Sequence, residues 1–187
     1  MSFLDKIAAA LTPPESDEDR AEARRTLTRH ATGREWVTLA VDQHRQIESA
    51  FEQARVAVPD ARPGAVRHLG AVLTAHSIAE EGVLYPALVE AGHKGHATMA
   101  YEEQAMAKVQ LAMLEKLDPA SQEWTDKLEH IRGAVLHHIY QEEKDWFVEI
   151  SDDAPASTDA MLGERFREEY DRYMTGVQQQ QGRTALV

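Results

Sequence analysis

The sequence predicts an all-α protein: an up-down-up-down four-helix bundle with an N-terminal arm and an additional C-terminal helix. Apolar residues recur at intervals of three and four along four long segments, as they do on one face of a helix. Short stretches rich in proline, glycine and aspartate separate these segments, and short connections make neighbouring helices antiparallel. Of the 187 residues, 43% are hydrophobic, which is sufficient for one domain with an apolar core.

The first bundle helix follows a polar arm. Residues 1–31 are polar and mixed in charge, and we expect a solvated appendage there. Thr32 and Glu35 have capping-box spacing, which predicts a helix from about Thr32 to about Val58. Its inward face is predicted to carry Val37, Ala40, His44, Ile47, Phe51 and Ala54.

The second bundle helix follows a proline-containing loop and is predicted to reach about Glu90 and to stop at Gly92. Pro86 has no N–H group to donate, so this helix is expected to bend or end near it. The inward face is predicted to carry Leu69, Leu73, His76, Glu80, Val83 and Ala87.

The third and fourth bundle helices are predicted over residues 97–117 and from the Asp118-Pro119 pair to about Ile150. The third has a methionine-rich seam interrupted by one carboxylate, and the fourth has an apolar stripe. The predicted seam is Met99, Glu103, Met106, Gln110, Met113 and Leu117, and the predicted stripe is Leu128, Ile131, Val135, His138 and Glu142.

A fifth, charged helix is predicted over residues 158–176, packing on the bundle or, in a homodimer, on a second subunit. The chain therefore divides into a polar arm, residues 1–31, the four-helix bundle, residues 32–151, and a C-terminal helix with a frayed tail, residues 152–187.

Composition excludes several classes of function. The formal net charge of −12, from 32 acidic and 20 basic residues, would repel nucleic-acid phosphates and anionic lipid, so neither is expected as a partner. The sequence has no apolar run of membrane-spanning length and no secretory-type signal, which predicts a cytoplasmic protein. The absence of cysteine excludes disulfides, iron–sulfur clusters and cysteine nucleophiles, so any metal must use nitrogen and oxygen ligands.

The spacing HxxxE occurs twice on inward faces, at His76 and Glu80 and at His138 and Glu142. Residues four apart lie roughly 6 Å from each other on one helical face, so each pair can direct a nitrogen and an oxygen to one point. Burying an unpaired carboxylate costs several kcal/mol, so these groups predict a cation between the helices. A single HxxxE pair is usually a surface ion pair, but two on apolar stripes, with His44 also inward, favour a metal site.

The inward ligand-type side chains come from all four helices. Three carboxylates are too many for one divalent ion in an apolar core, which favours two ions bridged by carboxylates and an oxo or hydroxo group. Nitrogen and oxygen donors suit iron or manganese, with zinc as an alternative. The predicted ligands are His44, His76, Glu80, Glu103, His138 and Glu142.

Four neighbouring residues are assigned other roles. Glu81 and Glu143 rotate about 100° away from the ligands and are expected to be solvated or to bond a ligand. Tyr85 and Trp146 are expected to be ordinary core residues.

The segments LTAHSIAEEGVLYPAL, LHHIYQEEKDWF and DQHRQIESAF resemble the hemerythrin-like HHE cation-binding domains over residues 36–150. The resemblance implies a four-helix bundle with a non-haem di-iron centre that meets dioxygen, peroxide or nitric oxide, or that senses iron or oxygen. It implies the ligands His44, His76, Glu80, His138 and Glu142.

The third helix departs from the family pattern, because Tyr101-Glu102-Glu103-Gln104 has no histidine. Glu103 is our predicted substitute since it lies on the seam; Tyr101, Glu102, His93 and His96 are the alternatives. An anionic oxygen in place of an imidazole should stabilise ferric iron, which argues against reversible oxygen storage.

Two functions are therefore expected from the sequence. The first is a di-iron protein that binds or reduces a small oxidant in stress response, with weak peroxidase, catalase-like or nitric oxide-consuming activity and no catalytic residue beyond the metal ligands. The second is an iron- or oxygen-sensing interaction module without turnover.

Overall fold

The computed structural model describes residues 15–184, which are helical and contain no strand. Residues 1–14 of the predicted arm and the end of the tail lie outside that range. The helices are α1 (Asp17–His30), α2 (Glu35–Val56), α3 (Arg62–Ala79), α4 (Tyr85–Glu90), α5 (Lys94–Leu114), α6 (Gln122–Gln141), α7 (Phe147–Asp153) and α8 (Asp159–Thr184), with π-helical turns at Glu80–Leu84 and Glu142–Trp146 and 3₁₀ turns at Pro59–Ala61 and Ala156–Thr158.

Two apolar clusters fill opposite ends of the bundle. The first surrounds Trp36, Leu88 and Phe147, and the second surrounds Phe51 and Leu128. Helix α2 begins in the first cluster and ends in the second, α3 and α4 run back, α5 repeats the direction of α2, and α6 and α7 return. The up-down-up-down bundle predicted from the sequence is thus confirmed, and a polar layer lies between its two apolar ends.

The start of α2 differs from the prediction. Arg34, not Thr32, is the N-cap residue, and it has no side-chain capping hydrogen bond. The Thr32 hydroxyl instead donates back to the carbonyls of Thr28 and Arg29, at 3.1 and 2.8 Å, and so closes the end of α1. A threonine can cap forward or bond backward, and spacing alone does not distinguish the two.

The fourth bundle helix also begins later than predicted. Its N-cap is Ser121, whose hydroxyl accepts from the Trp124 N–H at 3.1 Å. Asp118 closes a turn just before it, since its carboxylate accepts from the Ala120 N–H at 2.9 Å and its carbonyl from the Ser121 N–H at 3.0 Å. A two-residue turn therefore precedes the helix where we predicted the first helical residues.

Helix α1 is not the solvated appendage that we expected. A capping box between Ser16 and Asp19 begins it, and Leu27 near its end is completely buried in the first apolar cluster. The side chain of Arg24 is only 14% exposed and contacts carboxylates of the bundle. Because charged residues dominate this segment, its sequence did not indicate that Leu27 is buried or that Arg24 points toward the bundle.

The inward face of α5 is rotated relative to the predicted seam. Met106 and Met113 are about half exposed, at 47% and 49%. The buried residues recur at heptad-like spacing and include two alanines: Ala97, Ala100, Gln104, Leu111 and Leu114. Alanines let α5 approach its neighbours closely, whereas the prediction gave the larger methionines the inward positions.

Helix α8 packs against α2 and α3 of the same chain and extends beyond the predicted residue 176. Leu162 and Phe166 are buried in the first apolar cluster. Between residues 15 and 184, none of the helices is both long enough and apolar enough to cross a membrane.

Candidate metal centre

Five of the six predicted ligands meet in the polar layer between the apolar clusters. They are His44 on α2, His76 on α3, His138 on α6, and Glu80 and Glu142 at the start of the two π-helical turns. His44, Glu80 and Glu142 are completely buried, and His76 and His138 are nearly so. One donor atom from each of His44, His76, Glu80 and Glu142 lies within 4.8 Å of the others, a separation that a single metal ion could span.

One side of this cluster is formed by two imidazoles, both oxygens of Glu80 and one oxygen of Glu142. His44 Nε2 lies 3.2 Å from Glu142 Oε2 and 3.7 Å from Glu80 Oε1. His76 Nε2 lies 3.0 Å from the other oxygen of Glu80, Oε2. Four buried atoms, His44 Nε2, His76 Nε2, Glu80 Oε1 and Glu142 Oε2, have no hydrogen-bond partner among residues 15–184.

The other side is formed by His138 and by the hydroxyl of Tyr85. That hydroxyl donates to Glu142 Oε1 at 2.9 Å and lies 3.2 Å from Glu80 Oε2 and 3.1 Å from His138 Nε2. His138 Nε2 is also 3.3 Å from Glu142 Oε1. Each carboxylate thus presents one oxygen toward His44 and the other toward Tyr85 and, for Glu142, His138.

Tyr85 was expected to be a core residue, and its place in the site is a correction. In an α-helix a residue five positions after Glu80 lies about 140° around the axis. The π-helical turn Glu80–Leu84 is wider, and its closing hydrogen bond runs from the Tyr85 N–H to the Glu80 carbonyl. At α-helical periodicity Tyr85 does not share a face with Glu80, so the sequence pattern does not predict that it lies in the site.

The two π-helical turns begin at equivalent residues of the repeated HxxxEE segment, at Glu80 and at Glu142. Such turns are rare and occur frequently at functional sites. Pro86 falls in the first turn of α4, where a missing N–H costs little, so the helix continues through the proline instead of ending. The predicted stop at Gly92 is confirmed, with φ of 99°.

The orientation of His44 is fixed by a chain of charged residues that reaches α1. His44 Nδ1 bonds Glu143 Oε1 at 2.9 Å, and Arg24 Nε contacts both oxygens of Glu143, at 2.9 and 3.0 Å. The Arg24 guanidinium also pairs with Glu48, at 2.8 Å. Glu143 therefore bonds a predicted ligand, which is one of the two roles expected for it. Because Glu143 bonds the Nδ1 atom of His44, the Nε2 atom of that ring is directed into the cluster.

The other two imidazoles are held in the same way. His76 Nδ1 bonds Gln43 Oε1 at 3.0 Å, and His138 Nδ1 bonds Glu103 Oε2 at 2.8 Å. Metal-binding histidines in proteins are oriented through the ring nitrogen that does not bind the metal. All three rings present Nε2 to the cluster.

Glu103, the sixth predicted ligand, is not brought into the cluster. Its carboxylate meets the outer nitrogen of His138, and its side chain is 34% exposed. The inward residue of α5 is its neighbour Gln104, whose Nε2 donates to Glu80 Oε2 at 2.6 Å. Our prediction placed the seam one residue too early on this helix.

The alternatives to Glu103 also lie elsewhere. The Tyr101 hydroxyl donates to the Glu81 carbonyl at 2.7 Å, and Glu102 is exposed. His93 and His96 contact Glu149 at the surface. Glu81 pairs with Lys108.

The electrostatics of the cluster are those of imidazoles surrounded by carboxylates. Burial opposes a charge on His44 and His138, but the neighbouring carboxylates outweigh it and raise the pKa of His138 to about 10 and that of His44 well above its ordinary value. Burial also opposes the ionised carboxylates of Glu80 and Glu142, yet the imidazoles hold the pKa of both below the ordinary range. Burial and the two carboxylates raise the pKa of the Tyr85 phenol. Without a metal, protons on His44 and His138 would balance the buried carboxylates.

The donor set and the unpartnered atoms fit a metal ion. Buried polar atoms without partners are costly, and four of them converge here. Neutral imidazole nitrogens and carboxylate oxygens are ligands of divalent first-row metals. A cation between them would replace the protons that otherwise balance the carboxylates.

The fold and the site define a helical-bundle cation-binding protein. The sequence profile of the hemerythrin HHE cation-binding domain matches residues 37–150, more than half of the chain, and the chain belongs to this family. The match begins after α1 and ends before α8.

Among curated proteins, the chain is similar to a DNA nickase of Nostoc sp. (strain PCC 7120 / SAG 25.82 / UTEX 2576). The two are 35% identical over 78 residues, which is 42% of this chain and 22% of the nickase. The similar region thus spans about a fifth of that protein's length. No solved structure matches significantly.

Proposed function

We propose that the buried cluster binds two iron ions and that the loaded protein binds or reduces a small oxidant: dioxygen, hydrogen peroxide or nitric oxide. The observation that carries the proposal is the two-sided arrangement of Glu80 and Glu142. Each has one oxygen toward His44, and the other oxygens lie beside Tyr85 and His138. Carboxylates with an oxygen on each side are the natural bridges between two cations.

On this proposal His44, His76, His138, Glu80 and Glu142 would together hold the two ions. The family and the donor types are equally compatible with manganese or zinc, but zinc does not change oxidation state, whereas iron can exchange electrons with a small oxidant.

The chain's own residues shape the environment of that chemistry. The apolar clusters on either side restrict water. The Phe147 ring stacks on His44 with centroids 5.8 Å apart. The Tyr85 hydroxyl is a buried proton donor that lies beside both glutamates, and it can hold a hydrogen bond to a small ligand only by giving up the one to Glu142.

A sensing role is the second candidate, and contacts outside the matched region favour it. Arg24 of α1 reaches His44 through Glu143, and Phe166 of α8 packs edge-on against His76 with centroids 6.4 Å apart. Helix α1 thus contacts a residue that orients a predicted ligand, and α8 contacts a predicted ligand directly, so metal occupancy could be transmitted to the protein surface.

The similarity to the nickase does not extend the proposal to DNA. Nicking is a property of that protein, and a net charge of −12 opposes association with phosphates.

Iron loading followed by peroxide turnover tests the proposal. The protein is loaded with Fe²⁺ without oxygen, freed of excess metal, and assayed for iron per chain and for consumption of peroxide with a reductant. Two irons and repeated turnover support catalysis. Stoichiometric oxidation with a change in hydrodynamic radius supports sensing.

Glu142→Gln is the decisive variant, because it removes a carboxylate from both sides of the cluster, and it should lose at least one iron. Glu129→Gln is the matched control, since Glu129 is a surface residue paired with Arg132. Full occupancy in Glu142→Gln would contradict the proposal.

A further inference from the structure

A second group of metal-ligand side chains lies at the surface, where α5 begins and α7 ends. It comprises His93, His96 and Glu149, each partly exposed. One donor atom from each lies within 4.8 Å of the others. The group shares no residue with the buried cluster.

Both imidazoles present Nδ1 to the same carboxylate oxygen. His96 Nδ1 lies 2.8 Å from Glu149 Oε2, and His93 Nδ1 lies 3.3 Å from it. Donor atoms about 2.0–2.1 Å from a tetrahedral zinc ion are about 3.3 Å apart. The observed separations are close to those of ligands around one ion.

His93 is held in this orientation from two directions. Its other ring nitrogen, Nε2, lies 3.0 Å from Asp153 Oδ2, the type of carboxylate contact that orients metal-binding histidines. Its backbone N–H donates to the Leu88 carbonyl at 3.0 Å, after the left-handed turn at Gly92. Nδ1 is thereby directed toward Glu149.

Another histidine–carboxylate pair at the protein surface consists of one imidazole and one carboxylate. His30 Nε2 lies 2.7 Å from Asp152 Oδ1, with no second imidazole in the pair. At Glu149 two imidazoles approach one oxygen, and a second carboxylate lies behind one of them. A simple ion pair does not require that convergence.

We propose that His93, His96 and Glu149 form a second, mononuclear site for a borderline divalent cation of the Zn²⁺ or Co²⁺ type. Two imidazoles and one carboxylate provide three ligands, and the partial exposure of the site lets water complete the coordination. Asp153 is a positioning residue for His93.

The site is one indole ring away from the buried cluster. The His96 ring stacks on Trp146 with centroids 5.9 Å apart, and Trp146 packs edge-on against His138 with centroids 5.5 Å apart. A bound ion would therefore lie beside an aromatic path to a predicted ligand. The proposal itself does not depend on what the buried cluster binds.

Zinc titration of the iron-loaded full chain tests this site. After removal of excess iron, Zn²⁺ is titrated by calorimetry into the wild type and into His96→Ala, Asp153→Asn and His30→Ala, with circular dichroism to verify folding. We expect the wild type and His30→Ala to bind one Zn²⁺ that His96→Ala does not bind. Asp153→Asn should weaken this binding about 10–100-fold, as loss of an orienting carboxylate does.

Equal zinc binding by the wild type and His96→Ala would overturn the proposal, as would no zinc uptake by the wild type. If iron fails to load the buried cluster, zinc counts rise in every variant, but the difference of one ion between the wild type and His96→Ala remains. Co²⁺ provides a second measurement, because its visible spectrum should lose the same component in Glu149→Gln.

Discussion

Replacing Arg24 by methionine should weaken both the fold and metal binding, because Arg24 is the outer end of the chain that orients His44. The change removes hydrogen bonds of 2.9 and 3.0 Å to Glu143 and of 2.8 and 3.2 Å to Glu48. The Glu143 side chain is 0% exposed, so its carboxylate remains buried with His44 as its one remaining partner among residues 15–184.

The expected magnitude differs between the two measurements. Breaking a buried ion pair from one side costs about 3–5 kcal/mol, and the remaining contact to His44 places Arg24→Met at about 3 kcal/mol in the metal-free protein. Loss of an outer residue that orients a ligand lowers metal affinity about 10–100-fold. Urea unfolding measures the first effect, and competition with a chelator measures the second.

Arg45→Met is the matched control. Arg45 pairs with Asp42 on the surface of the same bundle and is 57% exposed, so its loss should change the free energy of unfolding by less than about 0.5 kcal/mol. If Arg24→Met destabilises the fold but binds metal as the wild type does, the inference that α1 orients His44 is wrong. If Arg24→Met behaves like Arg45→Met in both assays, the buried ion pair between Arg24 and Glu143 does not form in the protein.

Three further predictions concern the cluster. Tyr85→Phe removes the hydroxyl between Glu80 and Glu142 and should alter the visible spectrum of the ferric protein, whereas Tyr101→Phe should not; identical spectra for wild type and Tyr85→Phe would remove Tyr85 from the site. The pKa of His138 is raised to about 10, so the metal-free ring is protonated near pH 7. Metal binding should therefore release protons and become stronger as the pH rises toward that value. If this is wrong, the binding enthalpy measured by calorimetry will be the same in buffers of different ionisation enthalpy. Removing iron should lower the melting temperature of the wild type, and the difference should be smaller in Glu142→Gln.

The inner half of the site could be predicted from the sequence because its residues follow α-helical periodicity. His44, His76 and His138 lie on apolar stripes whose members are all buried in the structure. Each HxxxE glutamate lies one turn further on, at the residue where the π-helical turn begins. Up to that point the geometry assumed by the pattern holds.

The remainder depends on features that a hydrophobic pattern does not encode. Tyr85 is brought into the site by a wide turn, and Arg24 by the packing of α1. On α5, alanines and methionines are both apolar, so the pattern did not distinguish the close-packed face from the exposed one. For that reason we predicted that Glu103 points inward, whereas the inward residue is Gln104.

Native mass spectrometry of the iron-loaded chain tests most directly whether the buried histidines and glutamates form a two-metal centre. We expect a mass increase of two iron ions in the wild type and a smaller one when Glu80 or Glu142 is replaced by glutamine. A wild-type chain that retains no iron, or variants that retain both ions, would contradict it.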